Sequence, residues 1–217
     1  MRTKNMEDFL ETIFHLESEG RSAATQEIAQ HLNISAASVT EYVKKLAGEK
    51  LVSYVPYKEV RLTAKGRTLA VDVVRRHRLS ERLLVDKLGV KWEEAHEEAH
   101  KIEHDLSEEV SNKIYKALGE PKTCPHGNPL PDAKGQIKEE ESFPLTTFKK
   151  NDQIKIIKIT DEEPKLLCYL ATLGLMPRTK ITIEERAPFS GPIIVRVGRA
   201  TYALGYEIAE AIWVRKI

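Results

Sequence analysis

Eight acidic residues and three histidines occupy the stretch Glu93 to Glu109 (EEAHEEAHKIEHDLSEE), in which Lys101 is the only base. Imidazole and carboxylate are the donors that hold first-row divalent cations, and a segment this acidic needs positive charge to offset it. His96, His100, Glu103 and His104 stand at i, i+4, i+7 and i+8, so at about 3.6 residues per turn they share one helix face. Trp92, Ala95, Ala99, Ile102, Leu106 and Val110 form an apolar stripe roughly 100° away. The pattern predicts one helix, from about Trp92 to Leu118, that packs by one face and coordinates by the next.

Two further pairs carry the same chemistry at helical spacing: Asp8 with Glu11, and His77 with Glu81. Each has an ordinary explanation alone. Asp8 suits a helix N-terminus, Glu11 can pair with His15, and His77 lies among Arg75, Arg76 and Arg78. Three such groups on three helices point to metal. His96-Glu97-Glu98-Ala99-His100 also matches the H-E-x-x-H pattern of zinc hydrolases, which is the alternative reading. Glu103 and His104 crowd the face on which such an enzyme keeps an open coordination position. Cys124 and His126, in CPHGNPLP, carry ligand chemistry, but the flanking prolines, Gly127 and Asn128 favour a structural turn, and Cys168, within Leu166 to Leu173, reads as a small core residue.

The elements that must position these groups follow from periodicity. Residues 5–19 repeat apolar side chains at helical spacing (Met6, Phe9, Leu10, Ile13, Leu16) and end at Gly20. Thr25 is expected to cap a short helix from Gln26 to Leu32, Asn33-Ile34 to turn, and Ser35 to cap a second helix from Ala36 to Lys50. This is a helix-turn-helix. LVSYVPYKEVRLT, around Pro56, reads as a two-stranded wing, and Thr63 as the cap of a long helix from Ala64 to about Leu88. Beyond Pro121 the chain turns to Pro, Gly and charge up to Pro144. Short apolar runs then recur at Ile154–Ile159, Lys180–Glu185, Ile193–Val197, Ala200–Leu204 and Ala211–Val214, the spacing of a small β-barrel. The expected organisation is residues 1–63, winged helix-turn-helix; 64–131, helical and metal-binding; 132–144, linker; 145–217, β-barrel.

The net charge of +1 conceals a basic segment, in which Lys44, Lys45, Lys50, Lys58, Arg61, Lys65 and Arg67 face only Glu49 and Glu59. A recognition helix needs small polar residues at its start to approach base edges and cations nearby for phosphates. Ser35, Ala37, Ser38, Thr40 and Glu41 are the candidates for the first role, and Lys44, Lys45, Lys58 and Arg61 for the second. A carboxylate such as Glu41 can accept from cytosine N4. Two cysteines are too few for a disulfide framework, and no apolar run nears the roughly 20 residues of a membrane span; the expected location is the cytoplasm.

These segments resemble the diphtheria-toxin-repressor family of metal-dependent transcriptional repressors. FLETIFHLESEG, GRTLAVDVVRRHRLSERLL, HEEAHKIEHDLSEEV and CPHGNPLP are similar to its first helix, connecting helix, ligand helix and following turn. LATLGLMPRTKITIEERAPFSGPIIVRV and ALGYEIAEAIWV are similar to the SH3-like domain of its longer members. The resemblance implies a mainly α chain with a winged helix-turn-helix, a helical dimerisation domain and an SH3-like barrel, acting as a homodimer on a palindromic operator. It implies two metal sites per subunit. The primary site falls on Asp8, His100, Glu103 and His104, with Glu11 a further candidate; the ancillary site falls on His77, Glu81 and His96, completed by Glu163, with Glu162 or water as alternatives. Iron-type members carry Met at the Asp8 position and Cys at the His100 position, and manganese-type members put Glu where His100 stands. The reading favours Fe²⁺ over Mn²⁺.

Overall fold

The computed structural model describes residues 3–55, 58–132 and 134–217, so Pro56 at the centre of the expected wing lies outside the described residues. The chain divides into two compact units: residues 1–76 with 103–106 and 131–136, and residues 77–102 with 107–130 and 137–217. No helix among the described residues is long and apolar enough to cross a membrane.

In the first unit, α1 (Lys4–Ser18) starts at Thr3, whose hydroxyl accepts from the Met6 amide. Its apolar stripe, Phe9, Leu10, Ile13, Phe14 and Leu16, is buried. Next come α2 (Thr25–His31) and α3 (Ala36–Gly48), separated by a turn in which Asn33 adopts φ 51. Ser35 caps α3 through the Ser38 amide at 3.1 Å, as the sequence predicts, but α2 is preceded by Ala24, and Thr25 is already helical. Two short strands, β1 (Val52–Ser53) and β2 (Arg61–Leu62), pair antiparallel as the base of the wing. The long α4 (Ala64–Asp86) begins at Thr63, whose hydroxyl accepts from the Gly66 amide at 3.1 Å.

Glu17, near the end of α1, ties three elements together. One carboxylate oxygen accepts from the Leu62 amide of β2 at 2.9 Å, and the other takes the guanidinium of Arg67 in the first turn of α4.

The expected single acidic helix is broken. It runs as α5 (Ala95–Ile102), a 3-10 turn (Glu103–Asp105) and α6 (Glu108–Ala117), because Ser107 caps a new helix by accepting from the Val110 amide. The apolar stripe is correspondingly interrupted: Ala95 and Ala99 are buried, whereas Val110 is exposed.

The second unit closes on a six-stranded antiparallel sheet built from β3 (Phe143–Pro144), β4 (Gln153–Ile159), β5 (Lys180–Arg186), β6 (Ile193–Val197), β7 (Ala200–Leu204) and β8 (Ile212–Lys216). Its strand order is β3-β8-β4-β5-β6-β7. Two helices, α7 (Pro164–Thr172) and α8 (Tyr206–Ala211), close the loops between strands. Alternate residues of the strands, Ile154, Ile156, Ile181, Ile183, Ile193 and Val195, form the core with Leu167, Leu170 and Trp92. Cys168 on α7 is exposed, contrary to the core role expected of it, because Leu167 and Leu170 take the inward face.

Candidate metal centre and nucleic-acid interface

The packing of α1 turns Glu7, Asp8 and Glu11 toward the flank of its apolar stripe. Glu7 and Glu11 are buried, and Asp8 keeps a 38% exposed side chain. His104, on the 3-10 turn, stands among three carboxylates. Its Nε2 is 2.9 Å from Asp8 Oδ1 and 3.2 Å from Glu103 Oε1, and its Nδ1 is 2.7 Å from Glu7 Oε2. A carboxylate only accepts, so Nδ1 donates to Glu7 and Nε2 is aimed between Asp8 and Glu103. Glu7 is itself fixed by Arg76, which donates to Glu7 Oε1 and to the Glu103 carbonyl, each at 2.8 Å. Two carboxylates and one imidazole nitrogen therefore converge, with a carboxylate behind the imidazole. Glu11 lies 3.6 Å from His15 Nε2.

A second cluster lies in the second unit, on α4, α5, the turn after Lys122 and the loop after β4. His96 Nδ1 is 2.5 Å from Glu162 Oε2, 3.0 Å from His77 Nε2 and 3.4 Å from Glu81 Oε1. His126 Nδ1 is 3.2 Å from Glu81 Oε1 and 3.7 Å from Glu162 Oε1. Its Nε2 donates to the Trp92 carbonyl at 2.9 Å, which leaves Nδ1 to face the cluster. Ligand atoms of Glu81, Cys124, His126 and Glu162 lie within 4.8 Å of one another, as do those of His77, Glu81, His96 and Glu162. His100 joins this side, with its Nε2 3.2 Å from His96 Nε2 and its ring centroid 4.5 Å from that of His77.

The turn carrying Cys124 and His126 is seated by β4. The β4–β8 register shifts between Ile156 and Lys158, and the His126 carbonyl accepts from the Ile159 amide at 2.9 Å. Gly127 adopts φ +92, and a Cβ there would stand 2.1 Å from the Ile157 carbonyl oxygen, so only glycine fits. Asn128 donates to the Ile159 carbonyl at 3.0 Å and to Glu162 Oε1 at 2.5 Å.

The electrostatics follow from burying two carboxylates together. Burial works to raise Glu81, but His77 and His126 beside it hold it well below the usual carboxylate value. Glu162 is likewise lowered: burial and Glu81 act against this, and His126 and His96 prevail. Burial opposes protonation of His96 and His126, yet Glu162 and Glu81 push them up to about 9 and about 12. Burial, then Glu81, pushes the Cys124 thiol up to about 11. Glu81 Oε2 is buried with no hydrogen-bond partner among the described residues. A buried carboxylate oxygen left this way is costly and fits an atom that awaits a cation.

Sequence reasoning missed Glu7 and Arg76, and for Cys124 and His126 it preferred a structural turn to ligation. The turn exists, but it also delivers both side chains to Glu81. Glu163 caps α7, its carboxylate accepting from the Leu166 amide at 3.0 Å, and it is the neighbouring Glu162, the alternative the sequence offered, that faces the ligand groups. Glu163 directly before Pro164 is the signature of an N-cap followed by proline at the first helical position.

On α3, Val39, Val43 and Leu46 are buried, which turns Ala37, Glu41, Lys44 and Gly48 outward. Ser35 and Ser38 share a 2.8 Å hydroxyl contact, and the Thr40 hydroxyl donates to the Ala36 carbonyl at 2.8 Å. Lys45 stands 5.4 Å over the Tyr42 ring, and Arg61 pairs with Glu59 at 3.1 Å. Between α3 and the wing runs a groove of about 950 Å³ lined by Thr40, Lys44, Tyr54, Lys58 and Arg61 among others.

Three family models match the chain: the N-terminal DNA-binding domain of iron-dependent repressors over residues 1–60, their metal-binding and dimerisation domain over 63–132, and the FeoA domain over 143–216. The iron-dependent repressor IdeR of Mycobacterium leprae is 32% identical over 97% of this chain and 96% of its own length. The diphtheria toxin repressor of Corynebacterium jeikeium is also 32% identical, over the same shares. Among solved structures, a manganese-dependent transcriptional repressor in complex with manganese aligns at a TM-score of 0.91 and 33% identity, covering 98% of this chain and all of that one. T. acidophilum IdeR aligns at 0.85 and 30%, with both chains fully covered. These relatives are transcriptional repressors rather than enzymes, and nothing supports the hydrolase reading of the HEEAH segment. With its three matched domains in order and relatives aligned over nearly its full length, the chain belongs to the diphtheria-toxin-repressor family of iron- and manganese-dependent transcriptional repressors.

Proposed function

We propose that Asp8, Glu103 and His104 form the activating metal site, and that the chain binds a palindromic operator as a cytoplasmic homodimer when that site is filled. One observation carries this reading: His104 Nε2 meets both Asp8 of α1 and Glu103 of the 3-10 turn, at 2.9 and 3.2 Å. A divalent cation would supply positive charge and Lewis acidity there. Without it, Glu7, Asp8 and Glu103 repel across one imidazole; like charges about 4 Å apart cost about 1 kcal/mol in water and about 4 kcal/mol at an effective dielectric of 20. Asp8 sits on the first helix of the DNA-binding region, so its engagement selects one position of that helix. A coupling of about 1–3 kcal/mol corresponds to roughly 5–150-fold in DNA affinity, and two sites in a dimer would square it.

Glu81, Cys124, His126 and Glu162, with His96 and His77 adjoining, are assigned as the second site. The oxygen-rich first site suits Mn²⁺ and Fe²⁺ alike, with Fe²⁺ the tighter, and the thiol of the second favours Fe²⁺ over Mn²⁺. The test is anaerobic fluorescence anisotropy of duplex DNA from upstream of the protein's own gene, titrated with Fe²⁺, Mn²⁺, Zn²⁺ or chelator at fixed salt. Tight binding only with metal supports the reading and ranks the metals. Equal binding in chelator overturns it.

A further inference from the structure

Among the outward residues of α3, Glu41 is anomalous. Val39, Val43 and Leu46 are buried, and at about 100° per residue Glu41 lies nearly opposite their mean direction, one turn after Ala37 and one turn before Lys44 and Lys45. It is exposed, and no hydrogen bond or ion pair engages it among the described residues, although two lysines follow at i+3 and i+4. Lys45 turns to the Tyr42 ring instead, and Lys44 lines the groove toward the wing.

An unengaged carboxylate on a face that meets the phosphate backbone weakens non-specific attraction. It is compatible with tight binding where it finds a donor. The hydroxyls of Ser35, Ser38 and Thr40 are drawn into contacts within the helix start, and Ala37 offers only a methyl group. Those hydroxyls keep acceptor lone pairs, but Glu41 is the one carboxylate of α3 and so the strongest acceptor this face offers a base edge. In the major groove the amino groups belong to cytosine N4 and adenine N6; guanine presents only acceptors, and thymine an acceptor and a methyl group. Adenine sets its N7 acceptor beside the amino group, where a carboxylate is repelled, whereas cytosine presents the amino donor without N7.

We propose that Glu41 is a specificity-determining residue that accepts from the N4 amino group of a cytosine placed symmetrically in each operator half-site. The inference rests on the DNA-binding reading above and adds to it the identity of a base. Its consequence is selective: Glu41 lowers binding to duplexes that lack the cytosine more than it raises binding to those that have it.

The experiment is selection from a randomised duplex library by the full-length chain, loaded anaerobically with Fe²⁺ or Mn²⁺, for the wild type, Glu41→Gln and Glu41→Ala. Circular dichroism confirms that the variants fold, as expected for an exposed position. The wild type is expected to enrich cytosine at one position per half-site by about tenfold. Glu41→Gln should move that position toward adenine, whose N6 and N7 an amide can bridge, and Glu41→Ala should erase the preference there and leave the other positions unchanged. The same base preferences in all three proteins would overturn the proposal, as would a Glu41→Ala variant that binds every duplex more tightly without a change at any position. Failure of the wild type to select any duplex with either metal would instead bring down the DNA-binding reading itself.

Discussion

Glu7 Oε2 lies 2.7 Å from His104 Nδ1 across 97 residues of sequence, and both side chains are less than a tenth exposed. The contact fixes which imidazole nitrogen faces Asp8 and Glu103, and Arg76 fixes Glu7 in turn. Glu7→Gln keeps an acceptor for Arg76 but loses the charge behind the imidazole. Metal affinity at the first site is expected to fall by about 10–100-fold, the usual effect of losing such a partner. Direct Mn²⁺ titration measures it, and an unchanged affinity would show that Glu7 serves only Arg76.

Asp8 is the most exposed of the three groups proposed for the first site, so Asp8→Ala should leave the fold intact and remove the metal response. Anisotropy with operator DNA should then give one affinity with Mn²⁺, Fe²⁺ or chelator. A retained response would remove Asp8 from the activating site.

The second cluster predicts a pH dependence. His96 and His126, at about 9 and about 12 in the metal-free chain, must give up protons before their lone pairs are available. Metal binding there should release protons and tighten as pH rises from 6 toward 9. In the metal-free chain the sign is opposite: the raised His96 value contributes stability that is complete below its ordinary value of 6.5 and lost as pH climbs through about 9. Calorimetry in buffers of different ionisation enthalpy reads the protons released, and a count of zero would mean that neither imidazole is a ligand.

Cys124 would supply the sulfur of the proposed second site, and burial pushes its thiol up to about 11. Co²⁺ should therefore show a thiolate charge-transfer band that is absent in Cys124→Ser, and the variant should lose more affinity for Zn²⁺ and Cd²⁺ than for Mn²⁺. The same spectrum in both proteins would exclude the thiolate.

Gly127→Ala places a methyl group on the Ile157 carbonyl and forces alanine to φ +92. The backbone strain alone is about 1–3 kcal/mol, and the clash adds to it. Lower thermal stability and loss of the second site are expected together in calorimetry and Co²⁺ titration. A variant with wild-type values in both would show that the turn relaxes without penalty.

The strands from Gln153 onward were legible because Ile154, Ile156, Ile181, Ile183, Ile193 and Val195 alternate inward, and α1 because its apolar stripe holds one period. The break at Glu103–Asp105 was hidden by that stripe, which continues through Leu106 and Val110, although Ser107 before Glu108 and Glu109 carried the signal of a fresh helix start. Asp8, Glu103 and His104 were visible from spacing as donor groups and were joined into one site only by the family resemblance; Glu7 was visible from neither, because nothing local separates a carboxylate that orients an imidazole from one that pairs with solvent. His126 and Cys124 were obscured because prolines and a glycine around them explain a turn fully, and only the bulge in β4 shows where the turn delivers its side chains.

Helix α1 has Asp8 near one end and Glu17 near the other, and Glu17 grips the wing strand through the Leu62 amide and α4 through Arg67. The nine intervening steps span about 13 Å at about 1.5 Å each. A rigid rod of that length works as a crank: a tilt of about 5° at the ligand end moves the far end by about 1 Å, a shift large enough to make or break hydrogen bonds to phosphate. On the proposed assignment, occupancy at Asp8 would be transmitted to the wing through one stiff element, and lengthening or kinking α1 between the two residues would uncouple metal from DNA while leaving each able to bind.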